Sequence, residues 1–206
     1  MAKSSFRSRG KSFEGLSGRV INFTKRENIM NLLSDFFRYI ATGREQNIPI
    51  ILLRHAKAIK RHDFIGDDSD RPLNELGNRQ SEKVVDLYQY FGLKEIHTSD
   101  ALRCIKTVER LGQKLNLTPI VATELSEYVF HKNKDKSIDY VLHLFSQNKP
   151  VLICGHNPFL TKYFKKMVGK KWAKKFKDEL EPGEAWVVYR FNSKVIRINL
   201  MQMPEL

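Results

Sequence analysis

Two histidines and two arginines stand directly after apolar runs. Ile50–Leu53 is followed at once by Arg54 and His55, and Val151–Cys154 is followed by Gly155, His156, Asn157 and Pro158. A third stretch, 95–99, reads as a strand and leads through Asp100 and Ala101 to Arg103. A short run without polar alternation is the pattern of a strand buried on both faces in a helix-covered sheet. In open α/β sheets ligands gather at the carboxyl ends of the strands, so Arg54, His55, Arg103 and His156 would converge on one crevice. Two guanidiniums and two imidazoles suit a tetrahedral dianion, because the guanidinium fork matches phosphate oxygens. Either histidine taken singly reads equally well as a packed core residue; three strand ends carrying the same chemistry change that weighing.

The flanking residues fit this pattern. Asn157 reads as the cap of a helix whose first residue is Pro158, which sets His156 beside unpaired backbone N–H groups that favour an anion. Ser99 or Asp100 reads as the cap of the preceding helix, with Arg103 in its first turn.

These motifs in order, RH after a strand, Ser99–Arg103 with Thr107, and Gly155–Pro158, resemble the histidine phosphatase (phosphoglycerate mutase-like) superfamily. The loop Asp67–Gly77, DDSDRPLNELG, is similar to that of its short phosphohistidine phosphatase branch. RHAKA, SDALRC, GHNP and the late PGEAW are similar to the phosphatase half of two-domain Nudix and histidine-phosphatase hydrolases. The likeness covers roughly residues 48–190, and an ordered set of motifs is far more specific than any one of them. Ala56 departs from the glycine common in the superfamily. No Nudix box with its glutamate cluster occurs, so no Nudix activity is expected.

The resemblance implies an α/β fold, a three-layer sandwich with a mostly parallel central sheet and helices on both faces. It implies that His55 is the nucleophile, forming a phosphohistidine, while Arg54, Arg103 and His156 hold the phosphoryl oxygens. Glu127, in a Leu–Ser–Glu setting, is the candidate general acid, with Glu124 as its competitor. Arg71, Ser99 and Asn157 are the residues expected to touch substrate. No cofactor is expected. Asp67, Asp68 and Asp70 form an acidic run, yet the arginines would repel a cation and no familiar metal-ligand spacing occurs, so hydrolysis is expected to be metal-independent.

The rest of the chain must position these groups. Its 206 residues, 41% hydrophobic, suffice for one good core. Helices are expected over 72–91 and 101–116, a short strand over 119–122, and an antiparallel edge pair over 184–191 and 194–200. Residues 1–46 read as a basic extension, disordered to about residue 18 and then helical over 25–40; residues 47–206 read as the phosphatase domain. No run is long and apolar enough to span a bilayer and the basic start lacks the apolar core of a secretory signal, so a cytoplasmic protein is expected. Cys104 and Cys154 read as reduced packing residues.

The net charge of +13 carries a second reading. Tyr163, Phe164, Met167, Val168, Trp172 and Phe176 alternate with lysines, which could make a basic nucleic-acid or acidic-surface binding module, while the more ordinary account packs the apolar residues on the sheet and leaves the lysines in water. On the phosphatase reading the partner is a phosphorylated small molecule, a nucleotide or a phosphohistidine protein. The loops 57–70 and 127–136 are expected to choose among them.

Overall fold

The computed structural model describes residues 19–21, 48–191 and 194–204. The disorder expected before residue 18 and the helix expected over 25–40 lie outside the described residues.

Among the described residues seven strands form one sheet: β1 (Arg19–Ile21), β2 (Ile48–Arg54), β3 (Glu95–Thr98), β4 (Ile120–Val121), β5 (Val151–Gly155), β6 (Ala185–Phe191) and β7 (Lys194–Met201). Their spatial order is β1-β7-β6-β2-β5-β3-β4, and β6 alone runs against the others. The helices are α1 (Glu75–Tyr88), α2 (Leu102–Leu115), α3 (Glu127–Lys132), α4 (Lys134–Ser146) and α5 (Phe159–Ala173).

Alternation along the strands builds two cores. Ile50 and Leu52 of β2, with Val151 and Ile153 of β5 and Trp186 of β6, pack against Phe130, Val141, Leu144 and Phe164 from α3, α4 and α5. Ile51, Leu53, Leu152, Cys154 and Val187 face the other way, onto Val84 and Tyr88 of α1 and Cys104, Val108 and Leu111 of α2. All four β2 side chains from Ile50 to Leu53 are fully buried; at roughly 1.5–3 kcal/mol for each such side chain, this strand anchors the domain.

The fold differs from expectation in three places, and a fourth expectation, at 163–176, is met. The 184–191 and 194–200 strands do pair antiparallel, but not at an edge: β6 pairs with β2, and β7 is covered by β1. The supposed loop over 127–136 is largely helical, with Ser126 Oγ capping α3 and Asn133 Oδ1 capping α4. Ala101, not Ser99 or Asp100, occupies the cap position of α2, and Pro158 that of α5, while the Asn157 amide donates elsewhere. In and just after α5 the aromatic and apolar residues pack on the sheet, as the ordinary reading expects: Tyr163, Phe164, Met167 and Val168 are buried and Trp172 and Phe176 pack on the same core, leaving the lysines outside.

Candidate active site

β2, β5 and β3 run parallel side by side, so their carboxyl ends bring Arg54 and His55, His156, and Ser99 to one edge. Backbone bonds tie these ends together: the His55 amide donates to the Gly155 carbonyl (3.0 Å) and the Ser99 amide to the Cys154 carbonyl (3.1 Å). The first turn of α2 then delivers Arg103, and α3 delivers Glu127.

His55 is held in one tautomer. Its Nδ1 lies 2.8 Å from the Ala56 carbonyl oxygen, which can only accept, so Nδ1 carries the proton and Nε2 keeps a lone pair. The Ala56 amide in turn donates to Thr107 Oγ1 (2.9 Å), whose own proton goes to the Arg103 carbonyl. Burial brings the His55 pKa down to about 4, and the neighbouring His156 and Arg103 act in the same direction. At neutral pH it is an uncharged imidazole with a free nitrogen, the form a nucleophile requires.

His156 is buried and has partners at both nitrogens. Nε2 is 3.0 Å from Ser99 Oγ. Nδ1 lies 3.4 Å from Arg103 Nη2, a donor, and 3.4 Å from Glu127 Oε1, an acceptor. A neutral Nδ1 can take the arginine proton, and a protonated one can give to the carboxylate. Glu127 also stands 3.5 Å from Arg103 Nη2, so its carboxyl group faces both Arg103 and His156.

Arg103 is fixed by the long loop after β2. Its Nη1 donates to the Asp68 carbonyl oxygen (2.6 Å) and its Nη2 pairs with Asp68 Oδ2 (3.0 Å). Asp68 Oδ1 receives Arg71 Nε (2.9 Å) and Arg61 Nε (3.1 Å). Burial raises the pKa of Asp68, but the three guanidiniums outweigh it and hold the carboxyl below its ordinary value. Arg54 Nη1 donates to the Leu180 carbonyl, as does Asn157 Nδ2 (2.8 Å). Burial lowers the pKa of Arg54 while Glu181, Glu179 and Glu184 oppose it. The Nε atoms of both Arg54 and Arg103 are buried with no acceptor among the described residues.

The predicted residues thus divide. His55, Arg103, His156 and Glu127 come together, and Arg54 stands at the same strand end with its guanidinium on the Leu180 carbonyl. Arg71 is tied to Asp68 and to the Ile59 carbonyl (2.6 Å) and holds the loop. Ser99 lies fully buried behind His156, and the Asn157 amide braces the 178–184 segment. Glu124 pairs with Lys136 (3.2 Å), away from His156. Sequence reasoning weighed Asp68 only as part of an acidic run; its DxxR spacing to Arg71 was the available signal. Among the described residues no three His, Cys, Asp or Glu side chains converge to hold a metal, and no helix is long and apolar enough to cross a membrane.

Comparison with known proteins agrees with this geometry. Residues 50–148 match the model of the histidine phosphatase superfamily (branch 1), a span that includes His55, Arg103 and Glu127 and ends before His156. An 8-oxo-(d)GTP phosphatase of Mycolicibacterium smegmatis is 36% identical over 67 residues, 32% of this chain and 21% of that protein, so the match spans about a fifth of the relative's length. The fold is similar to that of the protein histidine phosphatase SixA, solved with tungstate (20% identity, 75% of this chain and 97% of that one, TM-score 0.60). It is also similar to a mycobacterial glucosyl-3-phosphoglycerate phosphatase (15% identity, 77% and 99%, TM-score 0.58). Residues 50–148 thus resemble the histidine phosphatase superfamily (branch 1), and the fold of the chain is similar to that of these solved phosphatases.

Proposed function

We propose that this protein is a metal-independent phosphatase that hydrolyses a phosphomonoester or phosphoramidate through a phosphohistidine on His55. One observation carries the reading: two buried guanidinium Nε–H groups without acceptors, on Arg54 and Arg103, accompany a neutral imidazole with a free Nε2. Buried donors are almost always satisfied, so orphaned ones of this charge suit an anionic ligand.

In the first step the Nε2 lone pair attacks phosphorus and the bond to the leaving oxygen or nitrogen breaks, the departing atom taking a proton from Glu127. Arg54, Arg103 and His156 offset the charge on the equatorial oxygens, where groups already oriented cost no reorganisation. In the second step water attacks phosphorus, the P–N bond breaks, and the water proton returns to Glu127. His55 regains its lone pair. The match of residues 50–148 to the histidine phosphatase model supports phosphatase chemistry, and the named activities of similar proteins make a nucleotide, a phosphorylated metabolite and a phosphohistidine protein the candidate substrates.

The test is phosphate release from nitrophenyl phosphate, a nucleoside triphosphate and a phosphohistidine peptide, with and without a chelator. The wild-type protein should turn over at least one of them with chelator present, and His55→Ala none. Activity lost to the chelator and restored by a divalent ion, or retained by His55→Ala, would overturn the proposal.

A further inference from the structure

Two helices, α3 and α5, bound the site on the side of Glu127. α3 opens with Glu127 and carries His131 at i+4, so the two side chains lie on one face with Cβ atoms roughly 5–6 Å apart. α5 opens with Phe159, just after His156, and carries Lys162 at i+3 on the face of Phe159. A ladder of rings joins these faces to the reacting groups. The Phe159 ring meets that of His156 edge on, with centroids 6.5 Å apart, and that of His131 in the same way at 5.2 Å. Phe130 stacks on Phe159 at 4.1 Å, and the Lys162 ammonium stands 4.9 Å from the Phe130 ring. Phe130 and Phe159 are buried, whereas His131 and Lys162 reach solvent.

The fold leaves both polar heads uncommitted. Among the described residues neither the His131 ring nitrogens nor Lys162 Nζ has a hydrogen-bond or ion-pair partner. Neighbouring lysines are engaged: Lys132 Nζ donates to the Tyr128 hydroxyl (3.4 Å), Lys136 pairs with Glu124 (3.2 Å) and Lys165 with Asp178 (2.9 Å). Glu127, on the face of His131, is turned to Arg103 and His156. We propose that His131 and Lys162 form a second anion subsite beside the reacting groups, so that the preferred substrate is a small phosphate ester whose leaving group carries a further phosphate or carboxylate. The subsite rests on the phosphatase reading above: a departing atom protonated by Glu127 has His131 about one helical turn, 5.4 Å, along α3. A four-carbon leaving group spans that turn. An imidazole N–H donates to an anion in either charge state, and the ammonium adds a full charge. An uncharged leaving group would leave both heads unpaired.

Butylphosphonate, 5-phosphonopentanoate and butane-1,4-diylbisphosphonate share a four-methylene chain and differ only in its far end: a methyl, a carboxylate or a second phosphonate. Carbon replaces the leaving oxygen, so none is hydrolysed, and calorimetry reads their binding whatever the turnover. The wild-type protein should bind the two dianchored compounds about fivefold or more tighter than butylphosphonate, the size of one exposed ion pair, and the tighter of them names the distal group. In the His131→Ala/Lys162→Met double variant that advantage should fall to within about twofold. Should the double variant not fold, Lys162→Met replaces it, with the advantage at least halved. Equal wild-type affinities for all three, an advantage retained in the variant, or a loss shared alike by all three would overturn the subsite. Butylphosphonate separates the two readings. If it binds and inorganic phosphate displaces it, the phosphoryl site stands whatever becomes of the subsite; if it does not bind, both fall.

Discussion

The rings of His55 and His156 meet edge to face, their centroids 5.2 Å apart and their planes inclined by 61°. Two imidazolium ions at that separation, with Arg103 alongside, would repel one another. His55 is held uncharged: burial is the main cause, and His156 and Arg103 beside it act in the same direction.

The first prediction follows from that uncharged state. His55 should titrate near pH 4 in the folded protein, against 6.5 for an unperturbed imidazole. Because the folded value is the lower one, the unfolded chain takes up this proton first, so the stability that His55 contributes is complete above about pH 6.5 and is lost as pH falls toward 4. Melting followed across that window should show a decline that is smaller in His55→Gln. A His55 midpoint at or above 6.5 by NMR would contradict the account.

Thr107→Val preserves shape and removes the hydroxyl that receives the Ala56 amide. A buried N–H left without a partner costs about 1–3 kcal/mol. The variant should melt earlier by a corresponding margin. Because Ala56 also supplies the carbonyl that holds His55 Nδ1, kcat should fall as well. A loss of stability with kcat unchanged would mean that the bond holds the loop and not the nucleophile.

Asp68→Asn keeps the backbone carbonyl that binds Arg103 Nη1 but weakens the contact to Nη2 and to Arg61 and Arg71. Displacing a catalytic group by about 1 Å can cost about a hundredfold, and a partial loss of restraint should lower kcat/KM by about tenfold. An increase in kcat/KM would show instead that Asp68 competes with substrate for Arg103.

How far the sequence reveals this site depends on what each residue is tied to. Arg54, His55 and His156 were legible because each follows a strand buried on both faces, and such strands announce themselves by composition. Arg103 was legible from its place after a strand and before an amphipathic helix. The Leu180 carbonyl that joins Arg54 to Asn157 was not, since a backbone acceptor 126 residues from Arg54 leaves no side-chain signature. The three-residue β1 and the six-residue α3 are too short for periodicity to register. Ser99 and Asn157 were expected at the substrate, and the structure turns the one behind His156 and the other toward the 178–184 segment.

Glu127→Gln tests the proton donor. An alkoxide leaves only with a proton, whereas nitrophenolate nearly manages without one. The variant should therefore lose about ten times more activity on glycerol phosphate than on nitrophenyl phosphate, while Glu124→Gln, whose parent residue is engaged with Lys136, loses little on either. Equal losses on both substrates would assign Glu127 to holding Arg103 and His156 and not to proton transfer.

The central claim is that His55 carries the phosphoryl group. Rapid quenching of the enzyme during turnover of a labelled phosphomonoester, under alkaline conditions that preserve phosphoramidates, should leave label on the protein, and peptide mapping should locate it at His55. The label should disappear on acid treatment and be absent from His55→Ala. Label on any other residue, or none in an enzyme quenched at steady state while a burst of leaving group is observed, would contradict the phosphohistidine route.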